Sequence, residues 1–265
     1  MSALVLSFRQ RLSFAAHVFK ALLKQHHAEL LPILGPLVAS DAVVVDAGAH
    51  AGQFTKLFAA LAPEGKVFAF EPGSYAGAIL RRVVRWHGLA QVEVIRSGLS
   101  DREGDGELVL PIKPSGSLGF GLAHVQRAPA AAESTDETKT LRRERIKLTT
   151  LDRFAEARAL IRLDFLKADV EGFEARLLTG GMATIARFRP AILLEVVGAH
   201  LARADDAPGD IWRLLAPLGY RSFRMRLPKP VPSPFSGDGD YLFLAAKNDA
   251  SVDQEQNIKQ AKRWS

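Results

Sequence analysis

A chain of 265 residues with 48% hydrophobic content is long enough to bury a full core and short enough for one main domain. It contains no cysteine, which excludes disulfides, thiolate metal sites and cysteine nucleophiles. Its formal charge of +6 comes without a recognisable nucleic-acid-binding module, so the excess reads as a solvated face and no nucleic-acid partner is expected.

Residues 1–39 form an N-terminal helical segment. Val5, Phe8, Leu12, Ala15, Phe19, Leu22 and Leu23 recur at helical spacing, with Arg9, Arg11, Lys20 and Lys24 between them, and the first acidic residue is Glu29. Three readings stay open: a helix packed on the core, an element docking on a membrane surface or partner, and an acid-poor targeting segment. No stretch is long and uncharged enough to span a bilayer. A cytoplasmic location is expected, with peripheral membrane contact through this helix as the alternative. His26 and His27 are adjacent and would not face the same way on a helix, so they read as surface rather than as metal ligands.

Residues 40–247 carry the pattern of an α/β doubly wound fold. The run Val43-Val44-Val45-Asp46 is a strand buried on both faces, followed by a glycine-bearing turn and a helix through Phe54, Leu57, Phe58 and Leu61. Gly48 and Gly52 permit a tight turn and close approach of a ligand to the backbone. Dinucleotide folds need a middle glycine in this turn, where this chain has His50, so a nucleoside without a diphosphate fits better than NAD. A second strand, Lys66–Phe70, ends at Glu71-Pro72, roughly twenty positions after Gly52, where such folds place the carboxylate that holds a ribose. A helix over about 74–87 leads to a third strand, 91–96, which ends at Gly98-Leu99-Ser100-Asp101.

The alternation then breaks. Short strands are predicted at 107–112 and 145–148, around an inserted loop, 114–145, that is glycine-rich and then small and polar. Its position after the third strand suggests a substrate lid, with plain disorder as the alternative. The sheet resumes at 164–168, then a helix through Leu177 and Leu178, a strand at 191–197 and another at 220–226. A proline-rich connection, 227–234, reads as stiff polyproline-like chain and joins a last strand, 240–247, expected to be antiparallel. Residues 248–265 read as a polar tail.

The ordered set Val43–Gly52 (VVVDAGAHAG), Phe68–Pro72 (FAFEP), Gly98–Asp101 (GLSD), Thr150–Asp152 (TLD), Leu166–Glu174 (LKADVEGFE) and Ile192–Glu195 (ILLE) resembles the FkbM family of S-adenosylmethionine-dependent methyltransferases. His50 stands where that family usually has asparagine, and Ala168 where it often has isoleucine. The resemblance, over roughly residues 40 to 200, implies a class I methyltransferase fold of seven strands with the last one antiparallel. It also implies S-adenosylmethionine as cofactor and O-methylation of a sugar, glycoconjugate or natural-product hydroxyl. A non-catalytic nucleoside-binding or membrane-associated scaffold and a nicotinamide-dependent oxidoreductase are the alternatives.

On that basis the cofactor contacts are expected at Asp46, Ala47, Gly48, His50 and Gly52 around the first turn, with Asp46 toward the methionyl ammonium. Glu71 and Pro72 are expected at the ribose, and Ser100 and Asp101 beside the adenine. A hydroxyl that attacks a sulfonium methyl must lose its proton to a base. Asp169 and Glu171 are two apart at a strand end and would leave the same face of an extended chain. They read as the base, as two oxygens of a divalent-metal site, or as helix N-terminal charges. His200 is the other candidate base, with a surface position as its alternative.

Overall fold

The protein is described by a computed structural model covering residues 7–112, 124–127 and 141–245. Strands β1 (Val43–Ala47), β2 (Lys66–Phe70) and β3 (Val92–Ile95) alternate with helices α3 (Gln53–Leu61) and α4 (Ser74–Trp86). They are preceded by α1 (Phe8–Leu23) and the single turn α2 (Leu31–Leu34). The chain continues through β4 (Gly98–Leu99), β5 (Gly104–Pro111), β6 (His124–Arg127), β7 (Leu141–Thr149) and α5 (Leu151–Ala157). Then come β8 (Phe165–Ala168), α6 (Glu174–Thr179), α7 (Met182–Phe188), β9 (Ala191–Val196), α8 (Gly198–Leu201), α9 (Pro208–Leu215), β10 (Tyr220–Arg224), β11 (Val231–Pro232) and β12 (Gly239–Ala245).

The main sheet has the order β11-β10-β12-β9-β8-β1-β2-β3. β3, β2, β1, β8 and β9 are mutually parallel, and β12 runs antiparallel to both its neighbours, β9 and β10. These are the seven strands expected, in a doubly wound arrangement with the last one reversed. The eighth, β11, is two residues of the proline-rich connection pairing with Phe223 and Arg224, so that part of it is strand rather than polyproline helix. Successive residues face opposite layers, as the pleat requires. Val44, Val67 and Phe165 enter one core with Leu57 and Phe58 of α3, while Val45, Phe68 and Leu166 enter the other with Leu177 and Leu178 of α6. Val44, Val45, Phe165 and Leu166 are fully buried, each worth about 1.5–3 kcal/mol of transfer free energy.

A second sheet, ordered β4-β7-β5-β6, was not expected. β5 and β7 are longer than the predicted short strands, and they pair antiparallel from Gly104↔Leu148 to Pro111↔Leu141. Within the span read as an inserted loop, β6 pairs with β5, and β7 already starts at Leu141. The lid expectation for 114–121 and 128–140, and the tail at 248–265, lie outside the described residues. Glu144 of β7 binds this sheet to the main one: it accepts from Ser74 N at 3.0 Å, at the start of α4, and pairs with Arg96 at 2.9 Å. The Thr150-Leu151-Asp152 motif is a pair of helix caps. Thr150 Oγ1 accepts from Arg153 N at 3.0 Å to start α5, and Asp152 accepts from Ala183 N and Thr184 N to start α7.

The N-terminal helix packs on the core. Its start is closed by a capping box between Ser7 and Gln10. Phe14 meets Tyr75 of α4 edge-to-face at 5.1 Å, and Lys56 Nζ donates to the carbonyls of Ala21 and Lys24 at its C-terminal end.

Candidate active site

The carboxyl ends of β1, β2, β8 and β9 meet at one edge of the sheet, beside a cavity of about 400 Å³. One wall is the turn after β1. Gly48 sits at φ +71°, and a Cβ there would stand 1.8 Å from the Asp169 carbonyl oxygen, so the position accepts no side chain. His50 is also left-handed, at φ 50°, a conformation that histidine adopts more readily than most residues. Gly52, at φ +86°, opens α3, and a Cβ there would press on Leu80 of α4 at 2.8 Å.

The turn is aimed by Glu71. Its Oε2 accepts from His50 N at 2.9 Å and its Oε1 from Gly73 N at 2.8 Å. Burial pushes its carboxyl up to about 7, against the pull of the Gly73 and His50 amides and of Lys167. Glu71 lines the cavity beside Pro72, and the wall continues through Ser97, Gly98 and Leu99 to Leu108, Leu110 and Leu148 of the second sheet. This end is apolar and suits a flat heterocycle.

The opposite end is acidic. Asp169, Glu171, Glu195 and Asp240 line it, with His27 and Met225. β12 brings Asp240 opposite Glu195 in register. Glu195 shares a hydrogen bond with Asp169. That bond, with partial desolvation against the cavity wall and repulsion from Asp169, Asp240 and Glu171, pushes Glu195 up to about 8, although much of the residue faces solvent. Burial acts to raise Asp169 as well, but the Lys167 ammonium and the hydrogen bonds from Glu195 and Lys167 outweigh it and hold its carboxyl below the ordinary range. The two carboxyls therefore titrate as a pair, and one proton stays on the pair up to about 8.

Lys167 joins the two halves. It is 3% exposed, and its Nζ donates to the carbonyls of Ala47 and Gly48 at 3.2 and 3.0 Å. The same nitrogen lies 3.5 Å from both Asp46 Oδ1 and Asp169 Oδ2. Asp46 and Lys167 are register partners on adjacent parallel strands, so their side chains share a face.

Not every expected residue reaches the cavity. Asp46, expected to meet an ammonium directly or through a water, is wholly buried, accepts from Thr55 Oγ1 at 2.6 Å and stands outside the cavity lining. Ala47 and Gly52 likewise lie behind the wall that Gly48 and His50 form. Ser100 and Asp101 stand outside the cavity lining. Ser100 is 1% exposed, its N donates to Thr149 O, and its carbonyl is covered by Gly180, where a Cβ would stand 2.0 Å away. The cavity is lined three residues earlier, from Ser97 to Leu99. Asp169 and Glu171 both reach the cavity, but the chain between them is not extended. Glu171 is left-handed at φ 55° and Gly172 at φ 107°, and Glu174 clamps this turn by accepting from Val170 N and Gly172 N. His200 stands outside the lining, with its Nδ1 3.1 Å from Glu171 Oε2. Among the described residues no group of three or more His, Asp or Glu is placed to hold a metal ion.

Lys167, Glu195 and Asp240 were missed as site residues. For Lys167 a signal existed: a lysine inside a buried strand needs a carboxylate partner, and Asp46 ends the neighbouring strand. Glu195 is exposed at the end of an apolar strand, a clue that its carboxyl stands at the sheet's ligand edge.

Residues 46–222, more than half of the chain, match the methyltransferase FkbM domain. The chain is 32% identical over 202 residues to the AMB antimetabolite synthetase AmbE of Pseudomonas aeruginosa, a match covering 64% of this chain and 9% of that protein. It is 27% identical over 196 residues to the 2-O-methyltransferase NoeI of Sinorhizobium fredii, covering 70% and 76% of the two chains. The crystal structure of methyltransferase FkbM from Methylobacillus flagellatus superposes with a TM-score of 0.50 at 15% identity, over 89% of this chain and 59% of that one. The chain thus spans less than two thirds of AmbE and of the solved FkbM chain, and the structural likeness is one of fold. By its domain match, the chain belongs to the FkbM methyltransferase family.

Proposed function

We propose that this protein transfers a methyl group from S-adenosylmethionine, the cofactor of its family, to a hydroxyl of a sugar, glycoconjugate or natural product. The observation that carries the reading is the polarity of the cavity at the strand ends, from an apolar end past Glu71 to the carboxylates of Asp169 and Glu195. When bound, the cofactor supplies a sulfonium methyl: the acceptor oxygen bonds to it as the carbon–sulfur bond breaks, and the hydroxyl proton is released.

The residues present fit that cofactor. Glu71, held by two backbone amides, offers acceptor oxygens to a ribose diol, and Gly48 leaves the main chain open to close approach. Leu108, Leu110 and Leu148 exclude water from the heterocycle. Asp169 and Glu195 take the hydroxyl proton as a pair, and Lys167 holds Asp169 in place from below. In this reading His200 positions Glu171, 3.1 Å from its Nδ1. The acidic mouth disfavours a phosphate backbone, which supports a small-molecule or glycan acceptor rather than nucleic acid. The name of NoeI, a 2-O-methyltransferase, supports an oxygen acceptor. Family membership speaks against both the idle scaffold and the oxidoreductase.

No helix among the described residues is long and apolar enough to cross a membrane. We assign the activity to the cytoplasm, with α1 as an element for peripheral membrane contact. Calorimetric titration with S-adenosylmethionine, S-adenosylhomocysteine and NAD tests the cofactor, and transfer of a radiolabelled methyl to a panel of hydroxyl compounds tests the reaction. Binding of NAD alone would overturn the reading.

A further inference from the structure

α1 has two apolar faces, and among the described residues only one is packed. Phe14, Val18, Ala21 and Leu22 pack toward Tyr75 and Ile79 of α4. Phe8, Leu12, Phe19 and Leu23 are 76, 58, 65 and 64% exposed. At about 100° per residue these four fall within roughly 60° of one another, forming one outward stripe. On the same wheel Arg11 borders the stripe on one side, and Arg9 and Lys20 on the other. No acidic residue occurs before Glu29. An apolar stripe edged by cations on both sides, without a single anion, matches an anionic bilayer surface, with the apolar residues entering the acyl boundary and the cations meeting headgroups.

The stripe also has a direction. α1 ends where Lys56 and Gln53 of α3 hold it: Lys56 Nζ donates to Lys24 O at 2.7 Å, and Gln53 Oε1 accepts from His26 N at 3.1 Å. Gln53 opens α3 at the ligand edge of the sheet, so the C-terminal end of α1 lies at that edge. The connection continues through His27 and Leu30, which line the cavity, to Leu31, itself 39% exposed. A polar link, Lys24 to Glu29, separates the α1 stripe from Leu30 and Leu31, so what ties α1 to the cavity mouth is the position of its C-terminal end. We infer that α1 lies in the headgroup layer of an anionic membrane and thereby holds the cavity rim at His27, Leu30 and Leu31 beside the lipid surface, without the acidic end facing it. This rests on the peripheral contact proposed above and adds an orientation to it.

The absence of native cysteine makes single-site labelling clean. An environment-sensitive dye would be attached to Leu12→Cys, Phe19→Cys, Leu31→Cys and Ile161→Cys. Ile161 is 85% exposed and precedes the start of β8, at the sheet edge opposite the cavity. With vesicles of phosphatidylcholine and phosphatidylglycerol, the emission should shift to the blue at positions 12, 19 and 31 and stay unchanged at 161. Flotation with these vesicles should fall about tenfold at 1 M salt, where the screening length is about 3 Å, and should be lost in Leu12→Ser/Phe19→Ser at unchanged melting temperature. A shift at 12 and 19 but none at 31 would overturn the orientation and leave peripheral contact standing. No flotation, or equal flotation with pure phosphatidylcholine, would overturn both. A protein that is dimeric as the native chain and monomeric as Leu12→Ser/Phe19→Ser would make the stripe a self-association surface and overturn the inference. Each of these outcomes is independent of whether methyl transfer is observed.

Discussion

Gly48 lies against the main chain of Asp169 so closely that a Cβ at position 48 would stand 1.8 Å from the Asp169 carbonyl oxygen. The turn after β1 and the turn after β8 are thus packed backbone to backbone, which joins the wall proposed for the cofactor to the carboxylate proposed as proton acceptor. Gly48→Ala should push the two apart and place alanine at φ +71°, a conformation costing about 1 kcal/mol or more before the clash is counted. We expect a melting temperature lower by several degrees, at about 2–4 °C per kcal/mol, together with loss of S-adenosylmethionine binding. An unchanged melting curve would show that the two turns are not in contact.

Glu71 predicts the pH dependence of cofactor binding. Its carboxyl is raised by burial from the ordinary 4.5 to about 7. Only the ionised form can accept from both backbone amides and from a ribose diol. Affinity for S-adenosylmethionine should therefore rise between pH 6 and 8 and level off above. The linkage runs the other way for the ligand-free protein. The unfolded chain loses this proton first, so the contribution of Glu71 to stability falls as pH rises from about 4.5 to about 7. Glu71→Gln should weaken binding at pH 8 and flatten its pH dependence, as read from titrations at several pH values.

The fold was largely legible because its signals are local. Val43–Val45 is apolar without interruption, and Glu71 follows the turn at the spacing a ribose site requires. What escaped depends on pairing between distant segments. β4 is two residues long and β6 lies within a compositionally biased stretch, so neither has enough length to show a period. Asp46 looked like a ligand contact because strand-end carboxylates in doubly wound folds often are; its partner, Lys167, is 121 residues away. Ser100 and Asp101 look like a turn in sequence, but the packing of Gly180 against Ser100 buries Ser100 and keeps the pair off the cavity wall. Asp169 was legible as a strand-end carboxylate, but its hydrogen bond to Glu195 depends on β8 and β9 being neighbours.

Lys167 and Asp46 test the site's foundation. Both are almost wholly buried, and Lys167→Met would leave the Asp46 carboxylate with Thr55 as its remaining side-chain hydrogen bond. Breaking one side of a buried pair costs about 3–5 kcal/mol. Asp46→Asn combined with Lys167→Met removes both charges and should recover much of that loss, measured by denaturant unfolding at neutral pH. Equal destabilisation in the single and double variants would mean that the pair is not coupled.

The last prediction concerns the proton. Asp169 is held ionised by Lys167, and its pair with Glu195 keeps one proton up to about 8. Below that pH the pair carries one negative charge and is a weak acceptor; above it both carboxylates are ionised and the pair becomes a strong one. Turnover should therefore rise with pH, pass half its maximum near 8 and level off about one unit higher, once cofactor and acceptor are saturating. Glu195→Gln keeps the shape and the hydrogen bond to Asp169 but removes the titrating carboxyl. Its turnover should be lower and flat across that range, while cofactor affinity stays within a few-fold. Asp169→Asn removes the acceptor itself and should cut turnover by roughly 10²–10⁴. The two variants together separate a proton acceptor from a packing residue, because a packing role would change stability or cofactor affinity and leave the pH profile in place. If Glu195→Gln retained the rise toward pH 8, the titrating group would lie elsewhere, and Glu171 with His200 at 3.1 Å would be the pair to substitute next.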